Sequence, residues 1–245
     1  MSGGDAELGF ERPVLFGRSL AESLRMYGLE GENLRGRRIL DCPGGPGSLA
    51  AELAALGAEV VACDPAYSMD DGTIAARSRE DLARTMAAIR ERPGHFAYDF
   101  ASYEAERRAA LERFLADLGP GRAAGRYVAA GLPALPFPDR SFDLVLSGHL
   151  LFTYAPTGTG GLSSHGEFDP AFHEASLREL LRVARSEVRV FPVNRILAPR
   201  REHEWLAPIR ASLAATGVRS AVRPVDYEPA PDGPSLLLTL FPASG

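Results

Sequence analysis

The sequence predicts an α/β protein: one mostly parallel sheet of seven strands with helices on both faces, and a helical insertion between strands 2 and 3. Three observations carry this. Short apolar runs bounded by turn residues alternate along the chain with segments of helical periodicity. A turn rich in glycine and proline, Pro43 to Gly47, joins the first such run to the helix that follows it. The second and third runs stand about sixty residues apart, longer than the usual connection in such a sheet, and the excess has a helical pattern.

Each element has its own signal. Ser19, with Glu22 three positions on, has the form of a capping box, and Phe16, Leu20, Leu24 and Tyr27 recur at helical spacing up to Gly28, so a helix precedes the first strand. Arg38 to Asp41 ends a short apolar strand. After the turn, Leu49, Leu53 and Leu56 mark a helix face that stops at Gly57, and "EVVACD", Glu59 to Asp64, is a second buried strand. In the insertion, residues 68–125, Leu82, Met86 and Ile89 form one stripe, with Glu80 spaced to reach Arg84. Tyr103, Leu111, Phe114, Leu115 and Leu118 form another, with Glu104 spaced to reach Arg108. Acids and arginines nearly balance there, as on solvated helix faces, and the insertion is either packing mass or a lid that shapes a substrate pocket.

Tyr127 opens a short strand, a proline-punctuated turn follows, and Phe142 to Ser147 is a buried strand. The Gly/Ser/Thr-rich stretch within 155–168 reads as a flexible loop. Asp169 and Pro170 start a helix with Leu177, Leu180, Leu181 and Ala184 on its apolar face, leading to a strand from Glu187 to Phe191. Trp205, Ile209 and Leu213 mark a further helix ended by Gly217, and strands around Ala221–Val225 and Leu236–Phe241 complete the sheet. With no repeat and no boundary in composition, residues 1–245 read as a single domain, with 1–35 as an N-terminal helical cap.

Composition narrows the chemistry. All 27 basic residues are arginine, so Schiff-base lysine chemistry and the GKS/GKT phosphate loop are excluded. A net charge of −5, with arginines scattered among acids, gives no basic face for nucleic acid. The acidic N-terminus lacks a basic apolar leader and the apolar runs are too short to cross a membrane, which predicts a cytoplasmic protein. Cys42 and Cys63 lie in apolar strands and read as reduced core thiols. No two histidines have the close spacing of a ligand pair, so no metal is expected.

A glycine-rich turn between strand and helix lets a ligand lie against the backbone and offers the helix N-terminus to an electron-rich group. In open sheets the ligand sits beyond the carboxyl ends of the strands, where Asp41, Asp64 and Ser147 would converge. Asp64 follows Gly45 by nineteen positions, about where an acid accepts hydrogen bonds from ribose hydroxyls. Gly45 to Ala50 also fits the dinucleotide pattern GxGxxA, so a nicotinamide-dependent oxidoreductase is an alternative.

Asp41, then Gly45 and Gly47, then Asp64, then "LPFPDRSFDLVLS" together resemble the class I S-adenosylmethionine-dependent methyltransferases over about Arg38 to Phe191. The resemblance implies a Rossmann-like fold, S-adenosylmethionine as cofactor, and methyl transfer to an acceptor, here a small molecule. It places Asp41, Pro43, Gly44, Gly45 and Gly47 near the methionine part and Asp64 at the ribose. Pro43 stands where the family has its first glycine, and Gly131 where it has an adenine-reading acid, leaving the adenine to Leu132 and main-chain groups. Those departures raise a second alternative, a cofactor-binding protein without turnover. "SGHL" after the fourth strand, in place of an NPPY-like motif, points away from amino methylation and toward an oxygen or carbon acceptor.

Methyl transfer needs an aligned nucleophile and exclusion of water more than it needs acid–base groups. His149, two residues past Ser147, stands where a base for a protonated acceptor would stand, and Tyr154 where a phenol would orient the acceptor; an ordinary packed histidine and a loop anchor are the other readings. His165 and His173 read as solvent-facing. Arg18 and Tyr27 are candidates to cover the cofactor, Arg18 by pairing with a carboxylate, against a solvated and a packing role.

Overall fold

The structure, a computed structural model, describes residues 10–91, 99–196, 201–230 and 233–243. Its helices are α1 (Leu20–Tyr27), α2 (Leu49–Ala55), α3 (Asp71–Arg90), α4 (Phe100–Ala123), α5 (Pro170–Val183) and α6 (Leu206–Ala214). The strands are β1 (Arg38–Asp41), β2 (Glu59–Cys63), β3 (Tyr127–Val128), β4 (Phe142–Gly148), β5 (Ala184–Phe191), β6 (Arg219–Ala230) and β7 (Gly233–Phe241). They form one sheet in the order β3-β2-β1-β4-β5-β7-β6. β1 to β5 run parallel, and β7 pairs antiparallel with both β5 and β6. This is the expected Rossmann-like sheet, with α3 and α4 inserted between β2 and β3.

Pleating assigns alternate residues to two cores. Ile39, Leu144 and Leu146 face α1, α2, α3 and α4, whereas Leu40 and Val145 face α5 and α6. Both cysteines are buried and free. Among the described residues no helix is long and apolar enough to cross a membrane, and no group of three or more His, Cys, Asp or Glu side chains is placed to hold a metal.

Helix signals were read close to their true ends. Ser19 and Glu22 form the capping box, Gly28 closes α1 in the left-handed conformation, and Asp169 caps α5. Arg108 meets Glu104 at 2.6 Å as expected, whereas Arg84 lies 3.8 Å from Asp81 and not against Glu80. β5 begins at Ala184, three residues earlier than expected, because it starts directly at the end of α5. β6 runs on through Pro224, which a strand at the sheet edge tolerates.

Two segments behave differently from their sequence reading. The 155–168 stretch holds only a 3-10 turn, Thr157–Thr159, yet it is tied down: Phe10 N–H donates to Leu162 O at 2.7 Å, and Ile196 N–H to Gly160 O at 2.8 Å. His173 is fully buried on α5, where its Nε2 accepts from Phe152 N–H at 2.8 Å and its Nδ1 bonds Asp169 O at 2.8 Å. It lies one turn before Leu177, on the apolar face of the helix, and this spacing is the signal that places it inside.

Candidate functional site

The chain reverses its winding between β1 and β4, which lie side by side, and a cavity of about 460 Å³ opens beyond their carboxyl ends. The turn after β1 forms its floor. Cys42 N–H continues the sheet by donating to Leu146 O, the Cys42–Pro43 bond is cis, and Gly44 N–H donates to Cys63 O. Gly45 adopts φ +51°, a conformation that side chains disfavour, so that its N–H reaches Asp64 Oδ2 at 3.0 Å and its carbonyl accepts from Tyr67 Oη at 2.7 Å. Pro43, Gly44, Gly45 and Gly47 all line the cavity.

Two acids face it. Asp64 caps the turn after β2: its Oδ1 accepts from Ala66 N–H at 2.8 Å while its Oδ2 holds Gly45. Burial raises its pKa, a rise limited by those two amides and by Arg77. Each oxygen keeps a lone pair for a ligand. Asp41 ends β1, and among the described residues its carboxylate has no hydrogen-bond or ion-pair partner. Burial, and then the nearby Asp64 charge, push its pKa up to about 8.

An N-terminal strap, residues 10–18, forms the opposite wall. Asp81 of α3, itself buried, accepts two hydrogen bonds from Arg12 at 2.8 Å and one from Leu15 N–H at 2.9 Å. Burial would raise the Asp81 pKa, but these donors hold it below the usual carboxylate value. Tyr154 Oη accepts from Val14 N–H at 2.8 Å. Arg18 O then accepts from Ser48 N–H at 2.9 Å, and Gly17 packs so closely that a Cβ there would overlap the Pro46 carbonyl. The first amide at the start of α2 is thus engaged by the strap, contrary to the expectation that this helix end faces a ligand.

On the third side, the turn after β3 brings Gly131 and Leu132 into the wall. Arg182 of α5 clamps that turn through Leu135 O, Phe137 O and Asp139, and Glu179 accepts from Leu135 N–H. A Cβ at Gly131 would lie 2.7 Å from the Pro65 ring, so the position has no room for the acid expected in the resembling family. β4 extends one residue past Ser147, whose buried side chain stays out of the cavity, contrary to its expected role. Gly148 and His149 face the cavity instead. His149, at φ +54°, is fixed by its N–H to Phe191 O at 2.7 Å and by edge-on packing on the Phe191 ring at 5.4 Å.

Arg18 and Tyr27 both line the cavity. Arg18 also reaches Tyr227 Oη at 3.2 Å, and the Tyr27 hydroxyl fills the space where a Gly148 side chain would stand. Burial raises the Tyr154 pKa, so this phenol holds its proton and anchors the strap. Sequence reasoning missed the strap itself, Arg77 and Met69 from the insertion, and Phe168 and Phe172, all of which line the same cavity.

Among the solved structures similar to this chain are S-adenosylmethionine-dependent methyltransferases. Magnesium protoporphyrin IX methyltransferase from Synechocystis, solved with S-adenosylmethionine, is 15% identical, covering 90% of this chain and 77% of that one at a TM-score of 0.46. The 1,6-didemethyltoxoflavin-N1-methyltransferase of Burkholderia thailandensis, solved with 1,6-didemethyltoxoflavin and S-adenosylhomocysteine, is 15% identical, covering 91% and 77% at 0.47. A methyltransferase from Aquifex aeolicus is 13% identical, covering 90% and 91% at 0.43. No protein-family pattern and no curated protein matches the sequence.

Proposed function

We propose that the protein is an S-adenosylmethionine-dependent methyltransferase acting on a small molecule. The observation that carries this is Asp41: a buried carboxylate without a protein partner, facing the cavity at the glycine-rich turn. A cationic ligand supplies the partner that this group lacks and draws it into its ionised form, whereas an anionic ligand keeps it protonated. A dinucleotide would set its pyrophosphate beside that carboxylate, at a helix end whose first amide already bonds Arg18 O. A cofactor with an ammonium and a sulfonium meets the opposite situation, which argues against the nicotinamide reading.

In this reading Asp41 takes the cofactor's ammonium and the turn carbonyls and amides cradle its amino-acid part. Asp64 accepts from the ribose hydroxyls through its remaining lone pairs. Pro65, Ala66 and Leu132 pack on the adenine, which has no side-chain acid to read it at Gly131. The sulfonium supplies an electrophilic methyl group when bound. The chain's own residues position the acceptor and keep water out: the strap closes one side, and Leu150, Phe168 and Phe172 line the cavity beyond His149. His149, which faces the cavity, is the residue we assign to accept a proton from the acceptor.

Calorimetric titration with S-adenosylmethionine, S-adenosylhomocysteine and NAD tests the reading. Micromolar binding of the two sulfur nucleosides, about −8 kcal/mol, weakened at least tenfold by Asp64→Ala, is expected. Binding of NAD alone would refute it.

A further inference from the structure

Arg77 projects from α3, within the insertion, to the cavity wall. Its Nε is buried without a hydrogen-bond partner, and among the described residues its guanidinium makes no hydrogen bond or ion pair. The two carboxylates close enough to act on it electrostatically are otherwise engaged: Asp81 by Arg12 and Leu15, Asp64 by Gly45 and Ala66. The buried, unpaired Nε–H carries the cost of an unsatisfied donor, and the other four donors of the guanidinium stay open to a ligand. Arginine's planar fork matches a carboxylate or phosphate, which it binds through two parallel hydrogen bonds. The rest of the cavity beyond the cofactor's place is apolar, with Leu15, Met69, Leu150, Phe168 and Phe172 in its wall.

We propose that Arg77 is the specificity residue of the acceptor subsite, and that the acceptor is a small molecule with an oxyanion head, carboxylate or phosphate, on an apolar or aromatic body. This rests on the methyltransferase reading for the word acceptor and for the place of the cofactor. The cofactor has a single carboxylate, which lies at its amino-acid end beside Asp41 and Arg18, so it does not account for a cation beside Asp64. The insertion then has a function that its balanced charges hide: α3 supplies both Arg77 for the ligand and Asp81 for the strap.

The test is a ligand-observed NMR titration with benzoate, phenyl phosphate and the neutral benzamide. It compares the wild-type protein with Arg77→Gln and Arg77→Lys, each with and without saturating S-adenosylhomocysteine. The proposal expects benzoate or phenyl phosphate to bind wild type at least tenfold more tightly than benzamide, with that preference gone in Arg77→Gln. Whichever anion Arg77→Lys keeps best identifies the head group, since a lysine retains charge without the fork: phosphate tolerates it and a carboxylate does not. Melting temperatures of the variants close to wild type show that the fold is intact, as expected for a side chain without protein partners. Equal binding of benzamide, or an anion preference unchanged in Arg77→Gln, overturns the proposal. So does a tenfold loss of S-adenosylhomocysteine affinity in Arg77→Gln, which would make Arg77 a cofactor residue. An Arg77-dependent anion site in a protein that binds no sulfur nucleoside refutes the methyltransferase reading and keeps the anion site.

Discussion

Replacing Asp41 by asparagine removes a buried charge at almost constant volume, and the resulting change in stability with pH can be worked out from the structure. In the folded protein without ligand the Asp41 carboxyl titrates at about 8, against 3.8 for an unperturbed carboxyl. Between these two values the folded chain holds a proton that the unfolded chain releases, so the wild-type protein loses stability as pH rises from about 4 to about 8 and is level above that. One proton corresponds to about 1.4 kcal/mol per pH unit. From pH 5.5 to 7.5 the wild type should therefore lose about 2.5 kcal/mol that Asp41→Asn keeps, or about 5 to 10 °C in melting temperature for a chain of this size. Thermal melts of both proteins across that range measure it. Groups that titrate alike in the two proteins cancel in the difference. A difference in melting temperature that stays flat from pH 5.5 to 7.5 would show that Asp41 is ionised in the empty site, and the reasoning from its burial to a raised pKa would be refuted.

The same carboxyl must ionise to hold an ammonium, so binding of S-adenosylhomocysteine near pH 7 should release close to one proton, read as a dependence of the calorimetric heat on buffer ionisation enthalpy; no dependence contradicts the assigned contact. Gly17→Ala should push the strap off Pro46 and weaken that ligand at least tenfold with little change in fold, measured by titration and circular dichroism. Arg107, fully buried, pairs with Glu22 at 2.6 Å, so Arg107→Met alone should cost about 3 to 5 kcal/mol by denaturant unfolding. Adding Glu22→Gln should restore much of that, and an equal or larger loss in the double variant would disprove the pairing. His203, buried beside Phe152 and Trp205, has its pKa lowered to about 4 by burial and by His173, so its contribution is complete above pH 6.5 and is lost as pH falls toward 4. His203→Phe should flatten the acid limb of the stability curve, and an unchanged limb would place the acid sensitivity elsewhere.

Local signals made much of this fold legible. Ser19–Glu22, Gly28 and Asp169–Pro170 act through hydrogen bonds spanning three or four residues, which a linear reading can follow. The same holds for the floor of the cavity: Asp41, the glycine turn and Asp64 belong to one β-turn-α-β unit, so their convergence follows from its connectivity. Ser147 does not reach the opening because its side chain is buried, and the cavity is met instead by Gly148, which has no side chain, and by His149. The solvent-facing reading of His173 fails because its spacing from Leu177 puts it on the packed face of α5.

The sheet, the helical insertion, the position of the glycine turn and the two acids at its rim all follow from local sequence, because periodicity, caps and turn chemistry act over a few residues. Only the tertiary structure decided what surrounds them. The strap meets Tyr154 across 140 residues and Asp81 across 66, pairings that no local pattern encodes. Those contacts cover the start of α2 and enclose the cavity. Arg77 shares that cavity with Leu150, Phe168 and Phe172, which are more than seventy residues further along the chain. That Arg77 has no partner is visible only once the neighbouring acids, Asp64 and Asp81, have found theirs, and that assignment is made by the folded chain as a whole.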